Sequence, residues 1–316
     1  MTMVGAFFDD LLDRTVVLGY SRVGLAVRQQ FWQTPALPAE ALAGRTVLVT
    51  GANSGIGKAI ATELAALGAT VLMTVRDRAR GEAARRDVLA VVPGAEVAVE
   101  VCDVSHLAAV RSFAADLLSR RPRLDAVIHN AGVMPEERTE SAEGHELSLA
   151  THVLGPVLLT ELLLPALTAA PDPRVVLMSS GGMYTQSLPV DDIEYRHGHY
   201  RGATAYARSK RVQVALTPLL ARRWPELMVA AMHPGWADTP GVAQSLPGFR
   251  RLTRPILRTS EQAADTAVWL TATEPAPVSG QFWHDRRIRP THYLPTRDDD
   301  ARVRQVWQYC AAAIGL

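Results

Sequence analysis

Tyr206-Ala207-Arg208-Ser209-Lys210 sets a phenol and an amine four positions apart. In a helix, positions i and i+4 share one face, so the two side chains would stand one turn from each other. A free tyrosine ionises near pH ~10, and a neighbouring ammonium favours its phenolate. Such a pair can exchange a proton with an oxygen near neutral pH. The Tyr-x3-Lys spacing alone is common. It gains weight from Ser179-Ser180, two hydroxyls that close the apolar run Val175–Met178 upstream.

A second stretch carries different chemistry. Thr46 to Gly57 reads TVLVTGANSGIG: a short apolar run, then glycines at 51, 55 and 57, then Lys58 to Leu67 with apolar residues at 60, 64 and 67. The pattern is a buried strand, a glycine turn and a helix start. Glycine permits positive φ and close approach of a pyrophosphate to the backbone. The helix start offers unpaired N–H groups and the positive end of its dipole. Strand, glycines and helix in this order point to dinucleotide binding; a plain tight turn is the bland alternative.

The elements that must position these residues alternate along the chain. Strands are expected at Val71–Val75, Val97–Val101, Leu124–Ile128, Val175–Met178 and Met228–Met232, with a weak edge strand at Gln281–Trp283. Helices are expected at Ala79–Val91, after a Ser105 cap, at Ala203–Leu220 and at Glu261–Thr271. A further helix from about Gly144 to Thr168 contains Pro156 and Pro165 and should bend or break. Repeated βα units imply an α/β fold, a doubly wound parallel sheet of Rossmann type with its site beyond the strands' C-terminal ends. The expected organisation is an N-terminal helical extension and linker (1–44), one Rossmann-fold catalytic domain (45–290) and a C-terminal tail or helix (291–316). Val4, Phe7, Phe8, Leu11 and Leu12 give the extension an amphipathic helical spacing.

Composition excludes several classes. Among 316 residues, 33 are basic and 32 acidic, so nothing marks a nucleic-acid partner. Two cysteines, Cys102 and Cys310, make no disulfide framework. No secretory leader or integral membrane segment is expected, because Asp9, Asp10 and Asp13 interrupt the first apolar residues and no long uninterrupted apolar run follows. The expected location is the cytoplasm. His197-Gly198-His199 has no acid or cysteine at metal-site spacing, so no metal is expected. Asp298-Asp299-Asp300 reads as a solvated turn, and Cys102 as buried and inert.

TGANSGIG resembles the cofactor loop of the short-chain dehydrogenase/reductase family, and the resemblance extends over about Ala43 to Trp283. RVVLMSSGGM (174–183), YARSKRVQVALT (206–217) and MHPGWADTPGV (232–242) narrow it to one subgroup. The resemblance implies that Gly51, Asn53, Ser54, Gly55, Ile56 and Gly57 hold the cofactor. It places Asp103-Val104 against its adenine and Asn130-Ala131-Gly132 close along it. Pro234, Gly235, Trp236 and Thr239 would position its nicotinamide, although Thr239 could simply cap a helix. NAD-preferring relatives carry an acid just after the second strand; here Val75 is followed by Arg76, whose guanidinium suits a 2′-phosphate. NADP(H) is therefore favoured over NAD(H); Asp77 after a one-residue slip, or Arg76 as an ordinary surface arginine, are the competing readings. Ser180 would bond the substrate oxygen, Tyr206 exchange its proton, and Lys210 also hold the nicotinamide ribose. Ser179 is the alternative hydroxyl.

The implied reaction interconverts a carbonyl and an alcohol on a small molecule. Met183, Tyr184, Trp236, Leu246 and Phe249 suggest an apolar one, and the long gap between Ser180 and Tyr206 suggests an insertion over the site. Relatives of this kind are often homodimers or homotetramers through two long helices. One departure stands out. His152 occupies the position, three before Gly155, where many relatives have an Asn whose helix carbonyl holds a relay water. His152 could replace it, titrate, or be a satisfied core histidine; a dinucleotide-binding sensor without turnover is the alternative it raises.

Overall fold

The structure is a computed structural model that describes residues 15, 19–32, 36–245, 247–293, 296 and 298–316. The amphipathic spacing of Val4 to Leu12 lies outside the described residues, as do part of the 34–44 linker and Leu246. Eight strands form one sheet: β1 (Thr46–Thr50), β2 (Thr70–Val75), β3 (Val97–Val101), β4 (Ala126–His129), β5 (Arg174–Met178), β6 (Met228–Met232), β7 (Gln281–His284) and β8 (Arg287–Ile288). Their order is β3-β2-β1-β4-β5-β6-β7-β8, with β1 to β7 parallel and β8 antiparallel. The order turns back between β1 and β4, which opens a crevice at the strands' C-terminal ends.

Strand residues alternate cleanly between two cores. Leu48, Leu72, Val127, Val175, Leu177 and Val229 face one. Val47, Val49, Val71, Met73, Ile128, Val176 and Met178 face the other. The first core is covered by α4 (Leu107–Arg120), α5 (Leu147–Leu167), α6 (Gly202–Arg223) and α10 (Asp300–Ala313); the second by α2 (Gly55–Ala66), α3 (Arg78–Val91) and α9 (Ser260–Ala272). Before β1 lies α1 (Arg22–Gln29); after β6 come the short α7 (Pro240–Ser245) and α8 (Pro247–Thr253). Both faces of the sheet are buried, as parallel pairing requires. Among the described residues, α5 alone is long and apolar enough to cross a membrane, but 78% of its most apolar window is buried inside the protein. It is a core helix.

Several expectations shift. Gln281–Trp283 is not the edge, because a tight turn with positive φ at Asp285 and Arg286 adds β8 outside it. Ser105 does not cap α4: its amide and hydroxyl both donate to Asp103 Oδ1, and His106 takes the cap position. Asp298 is not solvated; it pairs with the buried Arg211, while Asp299 caps α10. Cys102 and Cys310 are buried, and burial pushes both thiols up to about 12. The α-helical run of α5 is interrupted just before Pro156, one of the two outcomes expected. Residues Ala150–Leu154 widen into a π turn in which the Gly155 N–H reaches back to the Ala150 carbonyl. Proline has no N–H to give the His152 carbonyl. Gln213 Nε2 supplies that bond instead, at 2.6 Å.

Candidate active site

The glycine turn joins β1 to α2. Gly51 and Gly55 have positive φ, 66° and 52°. A Cβ on Gly51 would lie 2.8 Å from Ala131 Cα, and one on Gly57 would overlap the Gly51 carbonyl and the Asn130 amide. These are close backbone approaches that only glycine allows. Asn130 holds the turn shut from below. Its Nδ2 donates to the Thr50 and Gly51 carbonyls (3.0 and 3.3 Å), and its backbone N–H and that of Ala131 donate to Thr50 Oγ1. Asn130 thus stands beneath the loop as its fastening. Ser54 occupies the N-cap of α2 but makes no side-chain cap bond, and the first turn carries no acid. The N–H groups of that turn therefore fit a pyrophosphate.

At the end of β2, Val75 is buried and Arg76 exposed. Asp77 accepts from the Arg80 N–H at 2.8 Å and caps α3. Asp103, past β3, gives Oδ1 to the Ser105 turn, and Val104 is buried with its carbonyl against Gly155. Asn53 and Ile56 are half-buried around the glycine turn.

The catalytic candidates converge at the ends of β5 and α6. Ser180 follows β5 and caps the 3-10 turn Gly181–Thr185, its hydroxyl accepting the Gly182 N–H at 3.2 Å, and it stands on the Tyr206 side of α6, where its hydroxyl acts to lower the phenol's pKa. Ser179 points elsewhere: its hydroxyl donates to the Lys210 carbonyl at 3.1 Å and it is buried. The two serines are thereby told apart. Lys210 lies one turn beyond Tyr206, with Nζ 5.5 Å from its ring centroid, and donates to the Met178 carbonyl at 2.7 Å. Charge does not lower the phenol's pKa here. Burial pushes Tyr206 up, opposed by the Ser180 hydroxyl, and pushes Lys210 down to about 7. Desolvation outweighs charge because Lys210 sits against a carbonyl rather than a carboxylate.

His152 is fully buried, edge-on to Tyr206 with ring centroids 5.2 Å apart. The Val133 N–H donates to Nε2 at 3.0 Å, so the neutral ring carries its proton on Nδ1 and donates to Ser209 Oγ at 2.7 Å. Ser209 in turn donates to the Tyr206 carbonyl at 2.8 Å. Burial, then Lys210, holds His152 well below its ordinary pKa. Gly132 leaves room for the ring, since a Cβ there would come within 3.2 Å of Nε2.

After β6, Gly235 takes φ 76°, and a Cβ would lie 2.5 Å from the Arg258 guanidinium. Pro234 gives its carbonyl to Arg258, and the Trp236 N–H donates to the Tyr20 carbonyl at 2.8 Å. Thr239 immediately precedes α7. The apolar residues expected around the nicotinamide separate. Met183 is fully buried with its sulfur against Arg211, and Tyr184 donates to Pro290 and stacks on Tyr293. The Phe249 side chain lies outside the described residues, and Trp236 remains at the site. From the insertion, Pro189, Ile193 and Tyr195 line a small pocket together with Ala205, Arg208 and Val212 of α6.

This combination can be placed among known proteins. Residues 45–248 match the short chain dehydrogenase family. The chain belongs to that family. It is 40% identical over 251 residues to dehydrogenase/reductase SDR family member 12 of Bos taurus, covering 79% of each chain. It is 33% identical over 310 residues to retinol dehydrogenase 14 of Mus musculus, covering 92% of this chain and 90% of the relative. A crystal structure of an uncharacterized protein from Mycobacterium Paratuberculosis superimposes with TM-score 0.71 at 29% identity, covering 90% and 97%. This short chain dehydrogenase is accordingly an NAD(P)-dependent oxidoreductase that acts on a small molecule.

Two parts of the site escape sequence reasoning. Gln213 and Ser209, which tie α5 to α6 through His152, lie within the Tyr206–Thr217 stretch but have no motif of their own. Tyr20 and its Arg28–Asp285–Arg258 anchor come from opposite ends of the chain, and no local pattern links them.

Proposed function

We propose that this short chain dehydrogenase interconverts a carbonyl and an alcohol on an apolar small molecule with NADP(H). The observation that carries the reading is the pairing of Ser180 with Tyr206 at the end of β5, with Lys210 one helical turn away. Bound NADP(H) supplies the hydride donor or acceptor. Ser180 and Tyr206 grip the substrate oxygen, and Tyr206 gives or takes its proton. Lys210, with two ammonium hydrogens beyond the one given to Met178, binds the nicotinamide ribose. Asn53, Ser54, Gly55, Ile56 and Gly57 receive the pyrophosphate, Asp103 and Val104 the adenine, and Pro234 to Thr239 the nicotinamide.

NADP(H) rather than NAD(H) is supported by the exposed Arg76 at the end of β2 and by the engagement of Asp77 in its helix cap. An apolar substrate is supported by Trp236 and by the similarity to retinol dehydrogenase 14, since retinol is a long apolar alcohol. His152 acts as a neutral positioning residue in this reading, which favours turnover over a silent sensor. Cytoplasmic location is supported by two free, buried cysteines; a homodimer or homotetramer rests on the family resemblance alone.

Following NADPH absorbance over a panel of carbonyls tests the proposal. Wild type should turn over apolar ketones or aldehydes. Tyr206→Phe should lose about 10²- to 10⁴-fold in kcat while still binding NADPH. Full turnover by Tyr206→Phe, or preference for small charged substrates, would refute it.

A further inference from the structure

Tyr20 lies far from every motif in the chain, yet its ring is only 2% exposed and sits between the two loops that frame the reaction. A Cβ on Gly181, the residue after Ser180, would lie 2.5 Å from Tyr20 Cε2. On the other side the ring packs edge-on to His233 at 4.5 Å and to Trp236 at 6.1 Å. Its carbonyl accepts the Trp236 N–H, and a Cβ on Gly235 would lie 2.7 Å from that oxygen. Two glycines, one in each loop, are therefore the space into which Tyr20 fits. Both loops keep their glycine where a side chain would expel it.

The segment is also anchored. Arg28 on α1 pairs with Asp285 at 2.7 Å, and Arg258 pairs with the same carboxylate at 2.6 and 2.8 Å; all three side chains are buried. Burial opposes ionisation of Asp285, but His284, Arg258 and Arg28 together outweigh it and hold the group below the usual carboxylate range. Arg28 also donates to the Gly19 carbonyl. Arg258 reaches the Gly19 and Ser21 carbonyls on the N-terminal side and the Pro234 carbonyl on the nicotinamide side. One guanidinium thus links the N-terminal segment, the β7–β8 turn and the loop after β6. His284, pushed down to about 3 by burial, stacks on His233 with ring centroids 3.7 Å apart and completes the floor.

We propose that residues 19–29 are a working part of the active site, with Tyr20 as a positioning residue that sets the Ser180 loop against the Pro234–Gly235 turn. It deepens the oxidoreductase reading given above and rests on it for the kinetic consequences. A spacer between these loops governs how the held oxygen faces the nicotinamide, and a small displacement there weakens catalysis more than it weakens cofactor binding. The residues proposed above for the pyrophosphate and the 2′-phosphate lie after β1 and β2, away from these two loops.

The test uses the full chain with Tyr20→Ala, Tyr20→Leu and Tyr20→Phe. Amide hydrogen exchange on the protein without cofactor is the first readout. In Tyr20→Ala, Gly182 and Trp236 should exchange at least tenfold faster, while Asn130 and Ala131, fastened to Thr50, keep their rates. The second readout is kinetic. Tyr20→Ala should lose at least tenfold in kcat, with a larger primary isotope effect from 4-deuterated NADPH and an NADPH Kd within threefold of wild type. Tyr20→Phe should restore kcat to within threefold. If Tyr20→Ala does not fold, Tyr20→Leu, which fills the space without a ring, is judged by the same criteria. Unchanged exchange at Gly182 and Trp236 would overturn the proposal. So would a uniform rise that includes Asn130, or a kcat loss equal to the loss of folded protein with an unchanged isotope effect. Full turnover by Tyr206→Phe would instead sink the reaction reading, and the exchange result would still decide the role of Tyr20.

Discussion

The proposed cofactor cradle and the proposed proton-transfer corner both lie at the C-terminal ends of strands of one sheet but are built from different materials. The cradle at β1 and β2 is mostly backbone: glycines without Cβ atoms, the open N–H groups of α2, and one exposed arginine. The corner at β5, β6 and α6 is mostly side chains, several fully buried, with a lysine and a histidine both held below their ordinary pKa by burial. Backbone sites depend on what is absent from a position. Side-chain sites depend on what is present in a second and third layer. The first kind should fail when atoms are added, and the second when a neighbour is removed.

Adding one methyl to the cradle is expected to have the largest effect. Gly57→Ala drives a Cβ into the Gly51 carbonyl and the Asn130 amide. NADPH affinity should fall at least about 100-fold, since the Gly51 carbonyl is backbone and the Asn130 amide is held by the Thr50 and Gly51 carbonyls, so neither yields cheaply. A fluorescence titration with near-normal affinity would show that the cradle tolerates bulk and would break the contrast. In the corner, Ser180→Ala should cost about 10²-fold in kcat, as loss of one oxygen-binding donor does. Ser179→Ala, whose hydroxyl reaches only the Lys210 carbonyl, should stay within a few-fold. Equal losses in the two variants would undo the separation of the serines.

Removing charge from the cradle should have an intermediate effect. Arg76→Ala is expected to weaken NADPH by roughly 10- to 100-fold, the value of a charge-assisted bond to phosphate, and to leave NADH unchanged. Equal effects on both cofactors would remove Arg76 from the 2′-phosphate. The gentlest probe reads stability. Lys210 ionises near 7 when folded and near 10.5 when unfolded. Between those values the unfolded chain binds more protons, so the cofactor-free protein should gain stability as pH rises from 7 towards 10. The slope is at most about 1.4 kcal/mol per pH unit. Comparing denaturant midpoints of wild type and Lys210→Met across pH 7–9.5 checks it; identical slopes would mean the amine is charged in the folded state.

The contrast also explains what could be read in advance. Strand, glycine turn and helix are contiguous, so period-two apolar runs and Gly51, Gly55 and Gly57 are visible in one line of text. Tyr206 and Lys210 are legible for the same reason: one helix face sets their relation. The interruption of α5 follows from Pro156, a local property of the backbone. Less could be read where relation depends on packing. Asp298 looks solvated in Asp298-Asp299-Asp300 until Arg211 is brought against it. His152 looks titratable until Val133 and Ser209 use both nitrogens. Arg28 and Asp285 are 257 positions apart, and nothing short of the folded sheet brings them together.

By itself the sequence determined the alternation of strands and helices, the parallel sheet, the glycine cradle and the Tyr206–Lys210 pair, because each rests on residues within a few turns of one another. Only the tertiary structure decided which serine faces the phenol, that burial rather than charge governs Tyr206 and Lys210, and that Tyr20 from the N-terminal segment stands between the loops of the site. Those outcomes depend on desolvation and on contacts between distant segments. Both arise only when the chain has closed around them.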